Sequence, residues 1–443
     1  MTNYLGLAAC LLAGTAAPAA AAAQPSTTPT VLSLRERATL EDRLLAGRLD
    51  TVVPALMREH KIDMWVLIAR EYVEDPVVMT MLDAENMHAR RRTILVFFDP
   101  GAGKPVERLT VSRYGLARLF QPAWNPEAEP DQWKALGKLV AARNPKRIAI
   151  NSSALSQFAD GLTLSQYEGL VAALPAPYRD RLVRTDELAV GWMETRTGQE
   201  MQVYPQLLQV THAIIAEALS DKVITPGKTT ANDVRWWMRE KVSSLGMQVW
   251  FHPSLSIFRQ GQAAALQEDE VIRKGDMLWT DFGITYLGLN SDVQQLGYVL
   301  KDGEREAPKG LRDGLAAANR VQDALTSSFR TGLTGNQILA AARAKAIAAG
   351  LTPSIYSHPI GFHGHGAGSS IGFWDNQNPD PRGERPLRPA TAWSIELNAK
   401  VKVPEWNGQE INFRQEENAF FDGRTVHYLD GRQTRFHLIG TRQ

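Results

Sequence analysis

The sequence predicts an α+β protein in which an α/β amino-terminal domain precedes a second domain of helices followed by mainly antiparallel strands. Three observations carry this. At 443 residues the chain exceeds the size at which one core stops growing. From Leu34 to about Val190, short apolar runs alternate with helix-like segments, the pattern of a layered α/β domain. After about residue 246 the periodicity turns to that of strands.

The elements follow in order. Residues 1–23 read as a secretory signal: the first 34 residues carry no charge, 5–23 are Ala-rich and apolar, and Ala21-Ala22-Ala23 offers a small-residue cleavage site. Residues 24–34 are a Pro/Ser/Thr-rich flexible leader. Cys10 is the only cysteine and would leave with the signal, so the mature chain is expected to have neither disulfide nor thiolate ligand. Lys plus Arg is 49 against Asp plus Glu at 48, interspersed, which gives no reason to invoke nucleic acid or stable membrane association as partners. The expected location is periplasmic or secreted.

The first domain, 35–192, alternates helix-like stretches at 36–59 and 131–143 with strands at Met64–Ile68 and Thr93–Phe98. The second, 193–443, opens at Thr197, whose partner three residues on, Glu200, makes a capping box; Pro205 has to be absorbed near the first turns. Thr230 with Asp233 starts another helix, closed by Gly246. Strands are expected at Met277–Thr285, Ala392–Val401 and Ile411–Phe421.

The chemistry-bearing residues lie in this second domain. Asp281 and Asp292, eleven apart around Gly288 and Ser291, sit where a hairpin would bring two carboxylates onto neighbouring strands; each alone reads equally well as a turn aspartate. Glu396 and Glu416 alternate with apolar neighbours, so each is a mid-strand carboxylate that needs a partner, for which Arg414 is available. Residues 358–365 hold three of the nine histidines, His358, His363 and His365, among glycines; with 363–365 extended, His363 and His365 would share a face. Four carboxylates gathered together repel unless positive charge compensates. Two divalent ions would balance them, and an oxygen-rich donor set favours Mn²⁺, Zn²⁺ or Co²⁺, with Mn²⁺ the first expectation. Such a pair activates water and polarises a carbonyl oxygen.

The ordered set Asp281, Asp292, His365, Glu396, Glu416, with Gly364-His365-Gly366-Ala367-Gly368 and Arg414-Gln415-Glu416, resembles the pita-bread metallopeptidases, the family of methionine aminopeptidase, Xaa-Pro aminopeptidase, prolidase and creatinase. The resemblance implies a pita-bread catalytic domain behind a creatinase-type amino-terminal domain. It implies that Asp281 and Glu416 bridge or flank two metals, Asp292 serves one, His365 the other, and Glu396 handles the proton of the attacking water. It also implies a small peptide substrate cut at X-Pro bonds, and a homodimer is the expected assembly.

The chain departs from that pattern in three places. No histidine stands at 260–264, His252 lying twenty-nine residues before Asp281; none follows His365 by seven residues; and Val293-Gln294-Gln295 replaces the Thr/Arg expected after Asp292. His358 and His363 are the candidates to fill these roles, and His363 could exchange ligand duty with His365. Two other readings compete. Gly368-Ser369-Ser370-Ile371-Gly372 matches a serine-hydrolase elbow with Asp422 and His437 downstream, and a non-catalytic metal-binding protein could retain the fold.

Overall fold

The computed structural model describes residues 29–101, 103–116 and 119–440; the expected signal, Cys10 and residues 24–28 of the leader lie outside them. The first domain is built on a six-stranded sheet in the order Gln121–Pro122, Glu107–Thr110, Arg92–Phe98, Met64–Arg70, Ile148–Asn151, Leu182–Thr185. Met64–Arg70 is apolar on both faces because both are covered. Trp65 and Leu67 enter one core with the helix Leu34–Glu59, while Met64, Val66 and Ile68 enter another with the helix Gln132–Arg143.

The second domain opens with the expected helix, Gly198–Ala218, capped by Thr197 and Glu200 and carrying Pro205 inside. Ala231–Ser244 follows with its Thr230–Asp233 capping box. This helix pair packs on Leu255, Ile257, Leu278 and Val293. The pair Lys309–Thr326 and Gly335–Ala348 packs on Trp393, Ile395, Leu397 and Phe413.

Between them runs a nine-stranded sheet whose central order is Pro353–Ile355, Thr391–Val403, Gln409–Phe421, Val293–Val299, Met277–Phe282, Ser254–Phe258. His358–Ile360 pairs antiparallel with Thr391–Val403, placing His358 opposite Ser394. The strand expected over Met277–Thr285 is broken at Gly283. There the chain leaves the large sheet, Ile284–Tyr286 joining a three-stranded one, and the lack of a Cβ at Gly283 lets Trp250 and the Ser291 carbonyl approach its backbone. Among the described residues no helix is long and apolar enough to cross a membrane.

Candidate active site

Strand register assembles the site. Asp281 lies opposite Gln294, Gln294 opposite Glu416, and Glu416 opposite Glu396, so one row crosses four adjacent strands with side chains on one face. Asp292 sits just before its strand, its backbone held at both N–H and C=O by the Asn418 amide at 2.9 Å. Glu396 is fixed by Ser357, whose hydroxyl accepts from the Glu396 N–H and donates to its C=O, each at 2.9 Å.

His358 is the imidazole nearest these carboxylates. Its Nε2 stands 3.5 Å from Glu416, 3.7 Å from Glu396 and 3.8 Å from Asp292. His365 lies beside it, ring centroids 4.8 Å apart and edge to face, and reaches the cluster through Asp292 and His358. His358 and His365 stand seven residues apart in the sequence, and both reach the carboxylates.

His363 is not brought to the carboxylates. Residues 361–365 are bends, not extended, with Gly364 close against the Trp250 ring, and the expected shared face of His363 and His365 does not form. The His363 ring instead stacks on Phe158 of the first domain at 4.2 Å. His252 packs against Trp236, and Arg414 lies over the Trp279 ring at 4.8 Å instead of pairing with Glu416. The residue that sequence reasoning passed over is Gln294, noted only as a departure; its place two residues after Asp292, on the same face of the strand, was the available signal.

Burial raises the pKa of Asp281, Asp292 and Glu396 well above the carboxylate range, and the charge of Glu416 adds to each. Partial burial and then His358 hold His365 below its ordinary value. Four buried atoms in this cluster, Asp281 Oδ1, Asp292 Oδ1, His358 Nε2 and Glu416 Oε1, have no hydrogen-bond partner. Unpartnered buried acceptors are costly; carboxylate and imidazole groups crowded together, which can charge only where positive charge compensates, suit divalent cations. Three overlapping triads, Asp292–His358–His365, His358–Glu396–Glu416 and Asp281–Asp292–Glu416, have ligand atoms within 4.8 Å of one another.

The site opens on a cavity of about 1130 Å³ walled by both domains, with Leu155 and Phe158 on one side and Glu396 and Arg414 on the other. The serine-hydrolase arrangement does not assemble around Ser370, which also lines this cavity. Asp422 accepts from the backbone of Arg424 and Thr425, and His437 pairs with Gln295.

Fold and site together define a metal-dependent hydrolase with its donors on a curved antiparallel sheet. Residues 206–419 match the sequence model of metallopeptidase family M24, and the domain they span belongs to that family. The fold is shared with solved structures at low identity. An X-Pro aminopeptidase from Thermotoga maritima MSB8 is 16% identical, with TM-score 0.63 over 87% of this chain and 99% of that one. An Xaa-Pro dipeptidase from Bacillus anthracis is 16% identical, with TM-score 0.58 over 91% and 99%. A prolidase from Pyrococcus horikoshii OT3 is 14% identical, with TM-score 0.55 over 90% and 99%. No curated protein sequence matches the chain.

Proposed function

We propose that this chain is an exported peptidase that hydrolyses X-Pro or related bonds in small peptides, using two divalent ions, Mn²⁺ first and Zn²⁺ or Co²⁺ as alternatives. The observation that supports it best is the row of buried carboxylates with four unpartnered donor atoms at the floor of a two-domain cavity. Asp281, Asp292, Glu416 and His358 are the ligands in this reading, with Glu396 shared between holding the ion and moving the proton. Bound metal supplies water activation and carbonyl polarisation.

Glu396 is the most accessible of the three carboxylates around His358, 17% exposed against 5% for Asp292 and 1% for Glu416, so it meets the substrate and passes the proton to the leaving nitrogen. His365, on the cavity wall and neutral, donates to the substrate's carbonyl oxygen. X-Pro specificity draws on the fold shared with the X-Pro enzymes, and export on the amino-terminal sequence.

The test is metal analysis of the purified protein and hydrolysis of X-Pro peptides with and without chelator. Chelator-sensitive cleavage is expected. Chelator-resistant cleavage lost in Ser370→Ala would mean a serine hydrolase, and stoichiometric metal without turnover a binding protein.

A further inference from the structure

We propose that the substrates of this site are peptides longer than two residues, whose chain beyond the scissile bond leaves between the two domains along an apolar passage marked by Leu155 and Trp374. The inference deepens the X-Pro reading above and rests on it. An enzyme that releases the first residue of a peptide holds one residue on the amino side of the bond, so a longer substrate needs room for all the others on the far side.

That room is present. The cavity of about 1130 Å³ exceeds the roughly 300–1,000 Å³ that encloses a whole drug-sized ligand, and a dipeptide is smaller than such a ligand. The space also continues. A groove of about 450 Å³ runs between the first-domain turn at 153–160 and residues 380–382 of the second domain, and Leu155, Gln157, Pro381 and Arg382 line both spaces.

The walls suit uncharged, mid-chain peptide. Arg382, the cation common to both spaces, is already clamped by Asp380, its Nε and Nη2 donating to the two carboxylate oxygens at 2.9 and 3.1 Å, and its guanidinium covers the Phe373 ring at 3.7 Å. A guanidinium held by a two-point ion pair has little left to offer a terminal carboxylate. Apolar area, by contrast, is left open: Leu155 is 56% exposed and Trp374 79%, one from each domain, both lining the cavity. Single apolar residues scattered over a surface carry no message, but two brought together from different domains onto one wall leave area for a ligand side chain to cover.

The experiment compares kcat/KM of the Mn²⁺-loaded enzyme on Ala-Pro, Ala-Pro-Leu-Ala-Ala and Ala-Pro-Asp-Ala-Ala, all with free amino termini. The leucine pentapeptide is expected to exceed the dipeptide by about ten- to a hundredfold and the aspartate pentapeptide by about tenfold. Leu155→Ser and Trp374→Ala, both at exposed positions, should each lower the ratio of leucine pentapeptide to dipeptide by about three- to tenfold. Calorimetric binding of the leucine pentapeptide to chelator-stripped protein should weaken in the same variants. A dipeptide cut as fast as the pentapeptides, equal rates with leucine and aspartate, or a ratio unmoved in both variants would each overturn the proposal. Cleavage of none of the three would defeat the X-Pro reading instead. Pentapeptide binding that weakens in Trp374→Ala would then still support the passage, and equal binding by wild type and both variants would overturn it too.

Discussion

At the scale of single residues the two adjacent imidazoles have separable duties. His358→Ala should lose metal and turnover together, whereas His365→Ala should keep its metal and lose turnover about 10²- to 10⁴-fold, the usual range for a proton-handling or polarising group. Metal content beside kcat decides this, and a metal-free His365→Ala protein would reverse the assignment. Burial and mutual repulsion raise Asp281, Asp292 and Glu396, so these groups hold protons at a pH where free carboxylates do not. Cation uptake must expel them, and affinity should fall as pH is lowered. Titrations in buffers of different ionisation enthalpy should record proton release; none would contradict the raised values. Glu396 and Glu416 stood out in the sequence because each interrupts an alternating apolar strand, and the histidines because three of them cluster among glycines, whereas Asp281 and Asp292 read equally well as turn residues. Which histidine points inward was not, since it depends on His358 pairing with a strand that begins more than thirty residues later.

At the scale of elements, two contacts fix the helices to the sheet. His212, on Gly198–Ala218, bonds Glu417 at 2.8 Å and Asp430 at 2.7 Å. Burial disfavours its charge, but Glu417 and Asp430 outweigh that and raise its pKa to about 10. The sign follows: this stabilisation is complete below the unfolded pKa of about 6.5 and is lost as pH rises through the folded value. Melting temperature should therefore fall between about pH 7 and 10, and less steeply in His212→Gln; equal slopes would refute the linkage. Gly314, inside Lys309–Thr326, faces the Phe413 ring, and a Cβ there would overlap it. Alanine would gain about 1 kcal/mol of helix propensity, but overpacking costs about 1–3 kcal/mol. Gly314→Ala should be net destabilising in urea unfolding, and a stabilised variant would show that the ring yields. Helix starts at Thr197 and Thr230 were readable because a capping box spans three residues. The break at Gly283 was not, because the residue packed on it, Trp250, lies thirty-three positions earlier.

For the whole molecule, Arg48 joins the domains. Wholly buried on Leu34–Glu59, it pairs with Glu200 in the first turn of the second domain at 2.7 Å and lies over the Trp192 and Phe362 rings. Glu200 also pairs with Arg196. Removing one member of a buried ion network costs about 3–5 kcal/mol. Arg48→Ala should lower the melting temperature and split one unfolding transition into two; a single unshifted transition would show that the domains are joined elsewhere. Farther out, Arg385 meets Asp186 and Glu187 across the cavity rim. The alternation of strands and helices before residue 190 and the strand-rich pattern after it were readable from period, but this join was not, because Arg48 and Glu200 lie 152 positions apart.

Asp281, Gln294, Glu416 and Glu396 come from four different strands, and sliding any one strand by a single residue would turn its member of the row to the opposite face. Metal affinity is thus a checksum on strand alignment. A refolding chain regains it only when three strand pairings are all correct, so recovery of tight Mn²⁺ binding should trail recovery of strand content and report the last slip to be repaired.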